Sequence, residues 1–120
     1  MVRTKEEQRQ ETHEKRMGGN GFVHMTHIME KADLLGNCRL FAVLKLEQGC
    51  SLGYHAHEGE EEVYYILKGQ GLVNDNGTTR TVNPGDAVYT GNGGSHSIEN
   101  QGTEPLEFVA VVITYQPPER

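Results

Sequence analysis

Turn signals cut this chain into short pieces, and they constrain its fold more than any other feature. Asn76-Gly77 separates residues 72–75 from Thr78–Val82. An Asn-Gly pair between two strand-like runs marks a type I′ hairpin turn, because both central residues must take positive φ. Asn83-Pro84-Gly85-Asp86 then puts proline and glycine at the two central positions of a type II turn. With 15 glycines in 120 residues, the chain is expected to turn often and to build many short strands rather than long helices.

The segments between the turns have strand character. In residues 39–47, Leu40, Ala42, Leu44 and Leu46 fall on one face, while Arg39, Lys45 and Glu47 fall on the other. A period of two places the first set toward a core and the second outward. Further strands are expected at 22–28, 62–67, 72–75, Thr78–Val82, 87–90, Ser95–Glu99 and 106–115, with a turn of helix or a loop at 31–36. The pattern predicts one all-β domain, an antiparallel barrel or sandwich without internal repeats. Its expected limits are 18–116, with a polar N-terminal arm at 1–17 and a tail at 117–120. The arm carries mixed charge and no apolar period. It is expected as a frayed helix, a disordered arm or a segment ordered only by a partner chain. His13 within it is read as solvated.

Charge and composition exclude some partners. A net charge of −6 does not suit phosphate backbones or anionic membrane surfaces, so neither nucleic acid nor membrane is expected as a partner. No apolar run approaches the roughly 20 residues of a membrane span, and the first residues lack the apolar stretch of a secretory signal. Cys38 and Cys50 form no C-x-x-C pair and read as free thiols of a cytoplasmic protein.

Chemistry is concentrated in one set of residues. In His55-Ala56-His57, two residues apart on a strand, both imidazoles share a face and can present nitrogen to one ion. Glu62 follows His57 by an odd offset, so the chain must turn between them. Residues 58–61 form a plausible acidic turn, and Glu62 would open the next strand. Tyr64 and Ile66 share the face of Glu62, whereas Val63, Tyr65 and Leu67 point away. His96 follows the glycine-rich stretch 91–95. Taken singly these are weak signals: a lone H-x-H is more often a surface or core pair than a ligand pair. Tyr64 is the best non-ligand candidate and the candidate catalytic residue, either donating a hydrogen bond to a bound ligand or packing. His24 and His27, on opposite faces of their strand, read as structural or interfacial.

The spacing of the whole set resembles the cupin superfamily. Its first motif is matched by Gly49, His55, His57, Glu62 and Gly69, and its second by Gly85, Gly93, His96 and Asn100. Gly91 stands where the family usually has proline, a departure expected to loosen the loop before His96. The resemblance implies a single double-stranded β-helix, or jelly-roll, barrel. It implies one divalent transition metal per chain (Mn, Fe, Ni, Zn, Cu or Co) held by His55, His57, Glu62 and His96, with two positions open to a small-molecule ligand such as a carboxylate. It also implies a homodimer. Two functions follow from it: a metalloenzyme of the oxalate-decarboxylase-like, dioxygenase-like or isomerase kind, or a non-catalytic binding or sensing module. Oxalate decarboxylases of this family carry an arginine three residues before the first histidine, where this chain has Leu52. With Arg39 and Lys45 expected to face outward, no cation in the sequence stands in for it.

Overall fold

Alternation of apolar and polar residues builds two sheets whose apolar faces meet. A computed structural model describes residues 1–119; residue 120, the end of the expected tail, lies outside the described residues. The strands are β1 (Gln10–Glu14), β2 (Phe22–Met29), β3 (Cys38–Leu46), β4 (Ser51–Ala56), β5 (Glu60–Lys68), β6 (Gly71–Asp75), β7 (Thr78–Val82), β8 (Ala87–Gly91), β9 (Ser95–Glu99) and β10 (Leu106–Thr114). One sheet runs β1-β2-β3-β10-β5-β8 and the other β4-β9-β6-β7, with antiparallel pairing throughout. This is the expected all-β jelly roll. No helix among the described residues is long and apolar enough to cross a membrane.

The core follows from register. On β3, Ala42, Leu44 and Leu46 lie opposite Ala110, Phe108 and Leu106 of β10. On the other side of β10, Phe108 faces Ile66 and Ala110 faces Tyr64 of β5. All eight are buried, and the second sheet closes over them with Leu52, Val73, Val82 and Ile98. Burial of branched and aromatic side chains on facing sheets supplies the main driving force. The expected inward set of 39–47 is observed, with Leu40 packed at the edge of the cluster. The turns also match. Asn76 and Gly77 take φ of 50° and 94°. Gly85 takes φ of 92°, while the Asp86 amide donates to the Asn83 carbonyl at 2.9 Å.

The N-terminal segment differs from expectation. It is ordered by its own chain: β1 pairs with β2 from Gln10↔Thr26 to Glu14↔Phe22. An edge strand with one face exposed and the other half-buried needs no apolar alternation, since its backbone ladder and ion pairs such as Arg9–Glu30 hold it. Hence no period announced it. Between β1 and β2 the chain makes a short 3₁₀ turn at Arg16–Gly18, and residues Lys31–Asp33 make another.

Asn100, the last position of the second motif, is fully buried and ties the loop after β9 to β3. Its side-chain amide donates to the carbonyls of Leu46 at 2.9 Å and Glu104 at 2.8 Å, and its oxygen accepts from the Gly102 amide at 2.9 Å. Asn100→Ala would leave the buried Leu46 carbonyl and the half-buried Gly102 amide without these partners. It is expected to lower unfolding free energy by roughly 2–4 kcal/mol, read as a lower urea midpoint with unchanged far-UV circular dichroism.

Candidate metal centre

Backbone pairing brings the four motif residues together. His55 on β4 is the cross-strand partner of His96 on β9. His57 lies just past the end of β4, and Glu62 reaches in from β5 in the opposite sheet. The turn between His57 and Glu62 is shorter than expected, because β5 already begins at Glu60. The loop before His96 is not loosened by Gly91. The Gly94 amide donates to the Gly91 carbonyl at 2.9 Å, the Gly93 amide to the His57 carbonyl at 3.1 Å, and the His57 amide to the Gly94 carbonyl at 2.9 Å. A side chain at Gly91 would collide, since its Cβ would lie 2.7 Å from the Tyr89 hydroxyl and 2.8 Å from Glu61 Cβ.

The outer ring nitrogens are each held. His55 Nδ1 donates to the Gly53 carbonyl at 2.7 Å, His57 Nδ1 donates to Glu60 at 2.5 Å, and His96 Nδ1 meets the Thr90 hydroxyl at 2.8 Å. In neutral His55 and His57 the protons therefore sit on Nδ1, and the Nε2 lone pairs turn inward. The three Nε2 atoms stand 3.1, 3.0 and 3.2 Å from one another. Glu62 Oε1 lies 2.8 Å from His57 Nε2 and 3.0 Å from His96 Nε2, yet this buried oxygen has no hydrogen-bond partner. Facing lone pairs repel, and a cation between them removes the repulsion.

These distances fit one ion. Donors held at about 2.1 Å on perpendicular axes stand about 3.0 Å apart, and donors on opposite sides about 4.2 Å apart. The separations just given span 2.8–3.2 Å, and the remaining pair, His55 and Glu62, lies within 4.8 Å. Mixed nitrogen and oxygen donors without thiolate suit the divalent transition metals as a class.

Comparison with known proteins agrees with this geometry. Residues 42–112 match the Cupin domain family. The chain is a cupin. It is 50% identical over 96 residues to an oxalate-binding protein of Thermotoga maritima, covering 80% of this chain and 79% of that one. Among solved structures, a predicted oxalate decarboxylase of Thermotoga maritima superposes with a TM-score of 0.90 at 46% identity, covering 95% of this chain and 99% of that one. A putative sugar phosphate isomerase of Acidithiobacillus ferrooxidans superposes with a TM-score of 0.68 at 28% identity, covering 77% and 59%.

In this cupin three of the four side chains, His55, His57 and Glu62, border a cavity of about 40 Å³, room for about three water-sized groups. Tyr64 forms part of its wall. The ring is 1% exposed and stacks on His96 at 4.8 Å between centroids, with its hydroxyl 3.3 Å from His96 Nε2. Burial first, and then the Glu62 carboxylate, push the phenol well above its ordinary range, so it stays protonated. Leu52, at the position where oxalate decarboxylases carry arginine, is a buried part of the same wall.

The expectation that Arg39 simply faces outward is corrected here. The pairing of β3 with β10 skips Arg39, passing from Val112↔Leu40 to Ile113↔Cys38, and at this irregularity the side chain lines the cavity. There its guanidinium grips Glu60 through two bonds of 3.1 and 2.9 Å. Arg16 lines the cavity as well. Lys45 does face outward, beside Glu47. The sequence patterns missed Arg16, Arg39, Glu60 and Thr90. The acidic stretch 58–61 hinted at Glu60, but the other three carry no local signal. His24 is exposed and bonded to Thr12, whereas His27 is buried on the opposite face, as the odd offset requires.

Charge at the site is balanced by proximity. Burial alone would raise the Glu62 carboxyl, but the contacts with His57 and His96 outweigh it and hold it at about 2. Burial lowers His55 and keeps it neutral. Glu62, outweighing burial, raises His57 above its ordinary 6.5, and Glu60 adds to the effect. A cation entering the cluster competes with the second proton that Glu62 and Glu60 favour on His57. Because that proton is held to higher pH than on a free imidazole, metal affinity is expected to rise with pH through and above 6.5 and then level off. Chelator competition across a pH series reads this, together with proton release on metal addition in weak buffer.

Proposed function

We propose that this cupin holds one divalent transition metal through Nε2 of His55, His57 and His96 and Oε1 of Glu62, and that it binds a small dicarboxylate of the oxalate kind there. The observation that carries the reading is the set of four inward donor atoms within 4.8 Å of one another, without internal hydrogen-bond partners for Glu62 Oε1. The similarity to an oxalate-binding protein over four fifths of the chain supports the same ligand class.

When bound, the ion supplies Lewis acidity and two positions for carboxylate oxygens. The chain's own residues do the rest. Gly53, Glu60 and Thr90 orient the imidazoles. Tyr64 offers a protonated hydroxyl on the cavity wall. Leu40, Leu44, Leu52 and Val112 exclude bulk water, which strengthens each polar contact. Oxalate binding is the function these features support best, with Tyr64 as a donor toward the ligand. Protein loaded with manganese is expected to bind oxalate saturably in calorimetry, and the metal-free protein and His96→Ala are not. A loaded protein that takes up metal but no oxalate would overturn the reading. Formate and carbon dioxide appearing with turnover would instead extend it to a decarboxylase.

The free, half-buried thiols Cys38 and Cys50 fit a reducing cytoplasm. A homodimer fits the outer face of the six-stranded sheet. Val63, Val111 and Phe41 lie in one row across it, and Tyr65, Val109 and Val43 in the next. Tyr65 and Tyr89 are about half exposed, at 48% and 56%. An apolar, uncharged patch of this kind can cover a copy of itself about a two-fold axis. Tyr65→Lys is expected to shift the protein from dimer to monomer in light scattering without loss of metal binding.

A further inference from the structure

The metal site has a cation beside it that no sequence pattern announced. Arg16 and Arg39 both line the site cavity, and both also line a wider groove of about 450 Å³ that adjoins it. They stand between the two. Their charges are not equally free. Arg39 is held in a two-bond pair with Glu60, and Glu60 in turn holds His57. Arg16 is half buried and makes no side-chain hydrogen bond or ion pair among the described residues. Its charge reaches the Tyr64 hydroxyl at the cavity wall. A half-buried guanidinium without a carboxylate is poorly compensated, and an anion in the cavity would compensate it.

The backbone around Arg16 is built to hold it there. Lys15 and Met17, on either side, take left-handed φ of 50° and 54°, a conformation that residues with side chains adopt only where the surroundings enforce it. The enforcement is visible. The Lys15 amide donates to the Gly21 carbonyl at 2.7 Å, and the Ser51 amide to the Asn20 carbonyl at 2.9 Å. The turn presses on β4 where two glycines meet. A Cβ on Gly53 would lie 1.9 Å from the Met17 carbonyl oxygen, and one on Gly19 would lie 2.2 Å from that of Ser51. Gly53 is also the residue whose carbonyl orients His55. The turn that carries Arg16 is therefore seated on the same strand segment that positions the first histidine.

We propose that Arg16 binds the outer carboxylate oxygens of a dicarboxylate held at the metal site, and so sets the preference for a dianion over a monoanion. The proposal rests on the metal-site reading above and adds the residue that selects among its ligands. A divalent ion with Glu62 leaves one positive charge, and Arg16 makes it two, which matches oxalate. Leu52 leaves β4 without a cation, and the turn from the other sheet supplies one.

The test compares wild type, Arg16→Gln and Arg16→Lys, each loaded with manganese, by calorimetry against oxalate and glycolate. Glycolate can occupy the same two positions but carries one charge fewer. Arg16→Gln is expected to retain metal stoichiometry and circular dichroism, and to bind oxalate roughly 10- to 100-fold more weakly. Its affinity for glycolate is expected to change less than about threefold, as fits the loss of one charge-assisted contact. Arg16→Lys is expected to recover part of the oxalate affinity, since it keeps the charge and loses the fork. Oxalate affinity unchanged in Arg16→Gln would overturn the assignment while leaving the metal-site reading intact. Equal losses for both ligands, or loss of metal, would also overturn it by showing a structural role. A wild type that takes up metal but no oxalate would bring down both.

Discussion

Three imidazole nitrogens and one carboxylate oxygen crowd a single point where little water reaches and no internal donor satisfies the carboxylate. Left to themselves such groups would move apart, so something must hold them. Each histidine is fixed from behind by a different partner: a backbone carbonyl, a carboxylate and a hydroxyl. One of those partners, Glu60, is itself clamped by Arg39. The strands beneath are locked by the core residues of β3, β5 and β10. The cluster persists because the packed sandwich over-determines it, and the same rigidity keeps it ready for a cation.

That arrangement also governs the electrostatics. Bare imidazole lone pairs and an ionised Glu62 make the point attractive to a cation, whereas Arg16 at the rim makes the approach attractive to an anion. The proposed metal and small dianion would satisfy both demands together. The overall acidity of the chain gives no hint of this local pattern, since Arg39 is paired and Arg16 acts at short range inside a site of low dielectric.

Much of the scaffold was legible in residue patterns. The alternation in 39–47 named the inward faces of β3, and Asn76-Gly77 and Pro84-Gly85 named their turns. The spacing from Gly49 to Asn100 resembled the family to which the chain belongs. What escaped is equally specific. The strand Gln10–Glu14 has no apolar period because an edge strand does not need one. Arg39 was assigned outward from its position in the alternation, but the register with β10 skips it, and such an irregularity re-aims a side chain. Gly91 was read against the family's usual proline, although Tyr89 and Glu61 leave no room there for a side chain.

Sequence alone determined the properties set by neighbours along the chain. These are the strands and turns, the shared face of His55 and His57, and the need for a reversal before Glu62, because side-chain alternation and turn geometry are local. Only the tertiary structure decided which distant residues meet. It set Glu62 of one sheet against His96 of the other, seated the Arg16 turn on Gly53, and left Glu62 Oε1 without a partner. Those contacts depend on how two twisted sheets close on each other, which no short stretch of sequence encodes.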